Sequence, residues 1–180
     1  MTGGRLEPTP GVVDDLLLTS YIAQARYNRW MNEGLYAHAA KLTGQERRRD
    51  LGAFFKSIHG TLNHLLLADR VWLGRLGGIP VAKFKGLDEE LYDDFDTLRA
   101  ERVKTDGDLE RWIGTLTKEQ LAASITYASS RGDFTHPLWF AVTHLFNHQT
   151  HHRGQLTTLF MQLGHDPGLT DMIALLRGEV

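Results

Sequence analysis

Residues 138–163 read LWFAVTHLFNHQTHHRGQLTTLFMQL, and this stretch decides the fold. Its apolar residues recur at spacings of three and four, which is typical of one face of an α-helix. Pro137 suits the first position of a helix and Gly164 suits the position after its end, so the pattern predicts a helix over 137–163. The residues of its apolar face are Leu138, Val142, Leu145, Leu156, Phe160 and Leu163.

Three earlier segments show the same periodicity, which predicts helices over 12–42, 50–76 and 97–116. The second of these has Phe54 and Phe55 on its apolar face, and the third places Val103 inward. Around residues 125–135 the pattern changes to two short extended segments joined by a turn. A four-helix bundle buries four apolar faces, so we predict an all-α domain with a short extended excursion before the last long helix.

The length and composition indicate one globular domain. A chain of 180 residues with 42% apolar and 23% charged residues is ordinary for a single domain. Residues 1–11 hold two prolines and three glycines and are interpreted as a loose lead-in, which leaves 12–180 as the domain. The absence of cysteine excludes disulfides, thiolate metal sites and a cysteine nucleophile.

The charge balance and the short apolar runs argue against two classes of partner. Twenty basic and twenty-two acidic residues give a formal charge of −2, which does not favour a nucleic-acid surface or a polybasic membrane surface. The apolar runs fall far short of the ~20 residues that cross a bilayer. The first residues, MTGGRLEPTPG, have no apolar core of a signal peptide. We therefore expect a cytoplasmic protein without nucleic-acid or membrane partners.

Five of the nine histidines lie between His136 and His152. Histidines four residues apart stack on one helix face and can chelate a divalent metal, and His148 forms such a pair with His144 and another with His152. Because a helix turns about 100° per residue, His148 and His152 are expected toward the bundle interior and His144 and His151 toward the surface. A single histidine on an apolar face is more often a hydrogen-bonded core residue. Two at ligand spacing, in a run with two others, are harder to assign to the core, so spacing alone leaves a metal site and a core role equally open.

A durable metal site needs a third protein ligand, which in a bundle should come from another helix. The helix predicted over 50–76 offers His59 and His64. His59 lies nearer the main apolar stripe, and the stripe through His64 is apolar too. Periodicity alone does not choose between the two, and it leans slightly toward His59.

The run NHQTHHRGQ, residues 147–155, resembles the final-helix signature of DinB-like proteins. Three other segments agree with that family in the same order, and the resemblance covers residues 16–172. It implies a four-helix bundle of the DinB/YfiT type, often dimeric, with a divalent metal held by three histidines. The three segments are YNRWMN at 27–32, SIHGTLNHLL at 57–66 followed by Asp69 and Trp72, and GHDPGLTD at 164–171.

The resemblance places the metal ligands on His64, His148 and His152. Zinc or nickel is expected, with iron or manganese as alternatives, because imidazole is a borderline ligand and hard ions prefer oxygen. In each ligand, the second ring nitrogen is expected to donate a hydrogen bond to a carbonyl, a carboxylate or water. Other candidates, for the surroundings of the metal or for substrate contact, are His144, His151, Gln155, Asn28 and Asp69. Asp69 is a candidate base, or alternatively a partner of Arg153 or of a backbone group.

The function implied by the resemblance is a thiol S-transferase that uses a low-molecular-weight thiol. Three neutral histidines leave a metal its full charge and an open position, which suits the activation of a thiol or of water. The expected partners are a small-molecule thiol, an electrophile and a second copy of the chain. Two alternatives stay open at this point, a metal-dependent hydrolase and a non-catalytic metal-binding or dimerisation module.

Overall fold

The computed structural model describes residues 16–129 and 131–178 of the chain. The lead-in at 1–11 and the first residues of the helix predicted from 12 lie outside this range. In chain order the elements are α1 (Leu16–Ala40), α2 (Gly44–Arg48), α3 (Ile58–Gly77), α4 (Phe95–Thr115), α5 (Lys118–Ala122), β1 (Ser124–Ser129), β2 (Gly132–Pro137), α6 (Leu138–Gln162) and α7 (Met172–Arg177).

The four long helices α1, α3, α4 and α6 form a bundle. Helix α1 packs on α4 and α6, and α3 packs on the same two helices. Strands β1 and β2 form an antiparallel hairpin with Ser129 opposite Gly132, and this hairpin is the one sheet in the described ranges. The all-α bundle with an extended excursion before the last long helix is therefore confirmed. Within the described residues, no helix is long and apolar enough to cross a membrane.

Two apolar clusters fill the bundle, and a buried polar layer separates them. One cluster surrounds Leu62, Leu66 and Phe160, and the other surrounds Leu73 and Phe146. All four long helices contribute polar or charged residues to the layer between the clusters, and these are no more than 3% exposed. We call this set the polar layer: Asn28, Asn32, Asp69, Arg102, Asp106, Gln149 and Arg153.

The second long helix begins later than the sequence predicts, at Ile58 instead of residue 50. Ser57 is its N-cap, since its side chain accepts a hydrogen bond from the amide of Gly60. The preceding residues form a tight turn in which Ala53 pairs with Lys56, and Lys56 has a positive φ of 64°. The prediction that Phe54 and Phe55 extend the apolar face of this helix is therefore wrong, and Phe54 is 82% exposed.

The inward face of α4 also differs from the prediction. Val103 is 60% exposed, whereas its neighbour Arg102 is 2% exposed. Arg102 is buried because it forms ion pairs with Asp69 on α3 and Asp106 on α4. Val103 was placed inward on hydrophobicity alone. A charged side chain such as that of Arg102 is buried only when it has partners, and here one partner comes from α3 and one from α4 itself.

Candidate metal centre

Three histidines converge where α3 packs on α6. The Nε2 atom of His148 lies 3.3 Å from Nε2 of His64 and 3.1 Å from Nε2 of His152. The ligand atoms of the three rings all lie within 4.8 Å of one another. His64 and His152 are buried, and His148 is half-buried. We call this cluster the histidine triad; its half-buried member is the one that solvent reaches most easily.

The remaining ring nitrogens of two triad histidines are held by hydrogen bonds. Nδ1 of His64 donates to the carbonyl oxygen of Leu87 at 2.7 Å, and Nδ1 of His152 donates to Oε1 of Gln155 at 2.7 Å. The side-chain nitrogen of Gln155 in turn lies 3.3 Å from Nε2 of His151. A proton on Nδ1 leaves the lone pair on Nε2, so both rings aim an electron pair at the centre of the triad.

These donors fit a divalent metal. Three Nε2 atoms this close repel one another unless a proton or a cation lies among them, and neutral imidazole is a natural ligand for zinc and nickel. The expected outer hydrogen bonds exist at His64 and His152. They do not exist at His148, whose Nδ1 is buried without a partner in the described part of the chain.

Burial keeps the triad neutral. Desolvation lowers the pKa of His64 to about 4 even though the carbonyl of Leu87 favours the protonated form. Desolvation, followed by repulsion from the neighbouring imidazoles, lowers the pKa of His148 to about 3, and burial lowers the pKa of His152 as well. Protons therefore compete with a metal for His64 near pH 4, and not near the ordinary histidine pKa of about 6.5.

Phe55 covers one side of the triad. Its ring stacks on His64 with centroids 3.8 Å apart and meets His152 edge-on at 5.5 Å. Gly60 permits this position, because a Cβ atom there would clash with the carbonyl oxygen of Phe55. The sequence analysis missed this role of Phe55 because it assigned the residue to a helix. The signal in the sequence is Ser57, a helix-capping residue that ends the preceding turn.

Replacing Phe55 by alanine is expected to raise the pKa of His64 toward its ordinary value, because water then reaches the ring and favours its charged form. The same loss of packing should weaken zinc binding by roughly tenfold, as loss of a group that orients a ligand does. NMR titration of the histidine ring protons in metal-free protein and a zinc competition assay measure the two effects. Phe54→Ala is the matched control, since Phe54 is 82% exposed; equal effects of the two variants would contradict the assigned role.

The other histidines considered from the sequence lie outside the triad. His59 is buried, and its Nε2 lies 3.0 Å from both an Arg48 guanidinium nitrogen and the carbonyl oxygen of Tyr92. His59 therefore links α3 to α2, through Arg48, and to the segment before α4, through Tyr92. His144 and His151 are exposed, as the helical wheel predicts. The ring centroid of His144 lies 6.1 Å from that of His148, and the ring centroid of His151 lies 4.8 Å from that of His152.

Asp69 and Asn28 belong to the polar layer. Asp69 accepts hydrogen bonds from Arg102, at 2.6 Å, and from Gln149, so its direct partners differ from the Arg153 and backbone groups considered as alternatives. Arg153 instead donates to Asn28. Because Asp69 is held in a buried ion pair, it is not a free base. Gln149 follows His148 directly and connects the helix of the triad to the polar layer.

Comparison with known proteins gives concordant matches. A model of the DinB family matches residues 18–179. Protein DinB of Bacillus subtilis (strain 168) is 28% identical over 152 residues, which cover 81% of this chain and 87% of that protein. The crystal structure of a DinB-like protein from Bacillus cereus has a TM-score of 0.57 and 21% identity, and the match covers 82% of this chain and 91% of that chain. At that identity the solved structure supports the fold alone.

Proposed function

The chain belongs to the DinB family, and we propose that it is a divalent-metal-dependent thiol S-transferase that joins a low-molecular-weight thiol to an electrophile. The observation that carries the proposal is the convergence of three Nε2 atoms in the histidine triad. Two of the three rings are fixed through Nδ1 by Leu87 and Gln155, so the donors are oriented before a metal binds.

His64, His148 and His152 would hold the metal through Nε2, with zinc or nickel expected ahead of iron or manganese. A divalent ion bound only by neutral imidazoles keeps its full charge and, when bound, lowers the pKa of a thiol in its open position. In the transfer, the thiol sulfur bonds to the electrophilic carbon, the thiol proton passes to a base, and the leaving group departs with its electron pair.

The surrounding residues orient the site and limit the access of water. Phe55 shields His64 and His152, so small molecules reach the triad from the half-buried side of His148. His144 lies on that side and His151 beside His152, and both are exposed imidazoles that could accept the thiol proton. The proposal includes a cytoplasmic homodimer whose other partners are small molecules, as the resemblance and the composition lead us to expect.

A turnover assay after metal exchange tests the proposal. Protein stripped with a chelator and reloaded separately with zinc, nickel, iron or manganese is offered a chromogenic halide electrophile and a panel of thiols. We expect turnover above the uncatalysed rate only with both metal and thiol, and little with His148→Ala. Turnover of esters or amides without thiol would favour a hydrolase, and metal binding without any turnover would favour a non-catalytic module. Either result would contradict the proposed transfer.

A further inference from the structure

A cavity of about 670 Å³ lies between the C-terminal half of α3, the segment that follows it, and strand β1. This volume is in the range of small-molecule sites. Its walls are mainly apolar, and Gly74 lets Val81 approach α3 closely. Among the residues that line the cavity, Arg75 alone carries a charge. The cavity is therefore an open, mainly apolar groove with a single cationic group at its wall.

Arg75 is held by aromatic rings and not by carboxylates. Its guanidinium carbon lies 5.0 Å from the ring centroids of both Trp72 and Tyr127. Within residues 16–129 and 131–178, it makes no ion pair or hydrogen bond. Arg70 and Arg48, by contrast, are paired with Glu101 and with Glu90, respectively. Ring stacking restricts the guanidinium but leaves its five N–H donors available for an anion.

The cavity and the triad lie on the same side of α3. Val71 and Arg75 follow His64 by seven and eleven residues, so both lie within about 20° of its face, at ~10 and ~16 Å along the axis. The ring of Trp72 is 4.9 Å from that of His144, and the ring of His144 is 6.1 Å from that of His148. Trp72 and His144 thus connect Arg75 with the half-buried side of the triad.

We propose that Arg75, clamped by Trp72 and Tyr127, binds a carboxylate of the small-molecule thiol whose sulfur reaches the histidine triad. This inference rests on the proposed function and defines its substrate class as an anionic small-molecule thiol. A guanidinium fork binds a carboxylate through two parallel hydrogen bonds, and the stacking of Arg75 on two rings fixes the plane of that fork. A small neutral thiol would leave the guanidinium without a partner.

Calorimetric titration with a charged and a neutral form of one probe tests this assignment. The probes are glutathione and its diethyl ester, added to zinc-loaded protein. We expect Arg75→Gln to weaken glutathione binding by about tenfold, the value of one charge-assisted interaction, and to leave the Kd of the diester within about twofold. Arg99→Gln is the matched control, because Arg99 is an exposed arginine on α4, away from the cavity.

A third probe separates failure of this inference from failure of the proposed function. S-methylglutathione keeps the carboxylates but has no thiol, so it should bind metal-free protein through Arg75 even if no transfer activity is found. It should also slow the labelling of Arg75 by phenylglyoxal, read by mass spectrometry. Equal effects of Arg75→Gln and Arg99→Gln, equal affinities of acid and diester, or no binding of the charged probes up to millimolar concentration would each overturn the inference. An unchanged unfolding midpoint of Arg75→Gln shows that the variant is folded.

Discussion

Replacing His148 by alanine is expected to abolish stoichiometric metal binding while the bundle stays folded. Its Nε2 is the atom that lies within 3.3 Å of both other Nε2 atoms of the triad. Removing it leaves two ligands, which lie on different helices. Loss of a residue that only hydrogen-bonds to a ligand lowers metal affinity by ~10–100-fold, so loss of a ligand itself should lower the metal affinity by more. Half-buried His148 contributes little to the apolar clusters, so helical content should not change.

Two further variants make the result specific to the triad. His144→Ala removes an exposed imidazole one turn away on α6, and His59→Gln replaces the other histidine of α3 that the helical wheel favours. Both should retain one metal per chain in elemental analysis and a wild-type affinity in zinc competition. Metal retained by His148→Ala, or metal lost from His59→Gln with His64 intact, would contradict the ligand assignment.

Replacing Arg102 by methionine is expected to lower the free energy of unfolding by ~3–5 kcal/mol, the cost of breaking a buried ion pair from one side. Arg102 is 2% exposed, and its guanidinium lies 2.6 Å from Asp69 and 2.8 Å from Asp106. Burial already raises the pKa of Asp69 to about 6 and raises that of Asp106, while Arg102 lowers both. Without Arg102, two buried carboxyls must stay charged without compensation or take up protons.

Urea unfolding of Arg102→Met at several pH values measures this effect and its sign. A carboxyl whose pKa is raised in the folded state takes up its proton at a higher pH than the same carboxyl in the unfolded chain. Protonation therefore stabilises the fold at low pH, and this contribution is lost as the pH rises. The deficit of the variant should therefore be largest at neutral pH and shrink toward pH 4. Arg99→Met on the same helix is the control; a deficit no larger than the ~1 kcal/mol of a surface ion pair would contradict the role of the polar layer.

The periodicity of the sequence was enough to predict the helices of the bundle but not the charged residues buried inside it. Repeats of three and four located all four long helices, because burial of an apolar face is the main reason that such segments are helical. The start of α3 was misplaced because Phe54 and Phe55 extend the same repeat, whereas Ser57 and the turn before it set the boundary. Arg102 was not recognised as a core residue, since an i,i+4 pair with Asp106 is equally typical of an exposed helix face and the second partner, Asp69, lies on another helix.

The candidate site could be predicted only in part for a similar reason. The pair His148 and His152 follows from helical spacing within one element. The choice of His64 over His59 came from the family resemblance, because both residues lie on apolar stripes of the sequence pattern. The contacts of His64 with Leu87 and Phe55 come from irregular segments that no periodic pattern describes. The structure places these residues together, and the binding of a metal there remains a prediction.

Anomalous X-ray diffraction from crystals of zinc-loaded protein tests the central claim most directly. We predict a single strong zinc peak per chain, about 2.1 Å from the Nε2 atoms of His64, His148 and His152. Phe55 should remain stacked on His64, and the fourth position should face His144. A peak at His59 or at the exposed His151, or no peak at the triad in crystals that contain one zinc per chain by elemental analysis, would contradict the account.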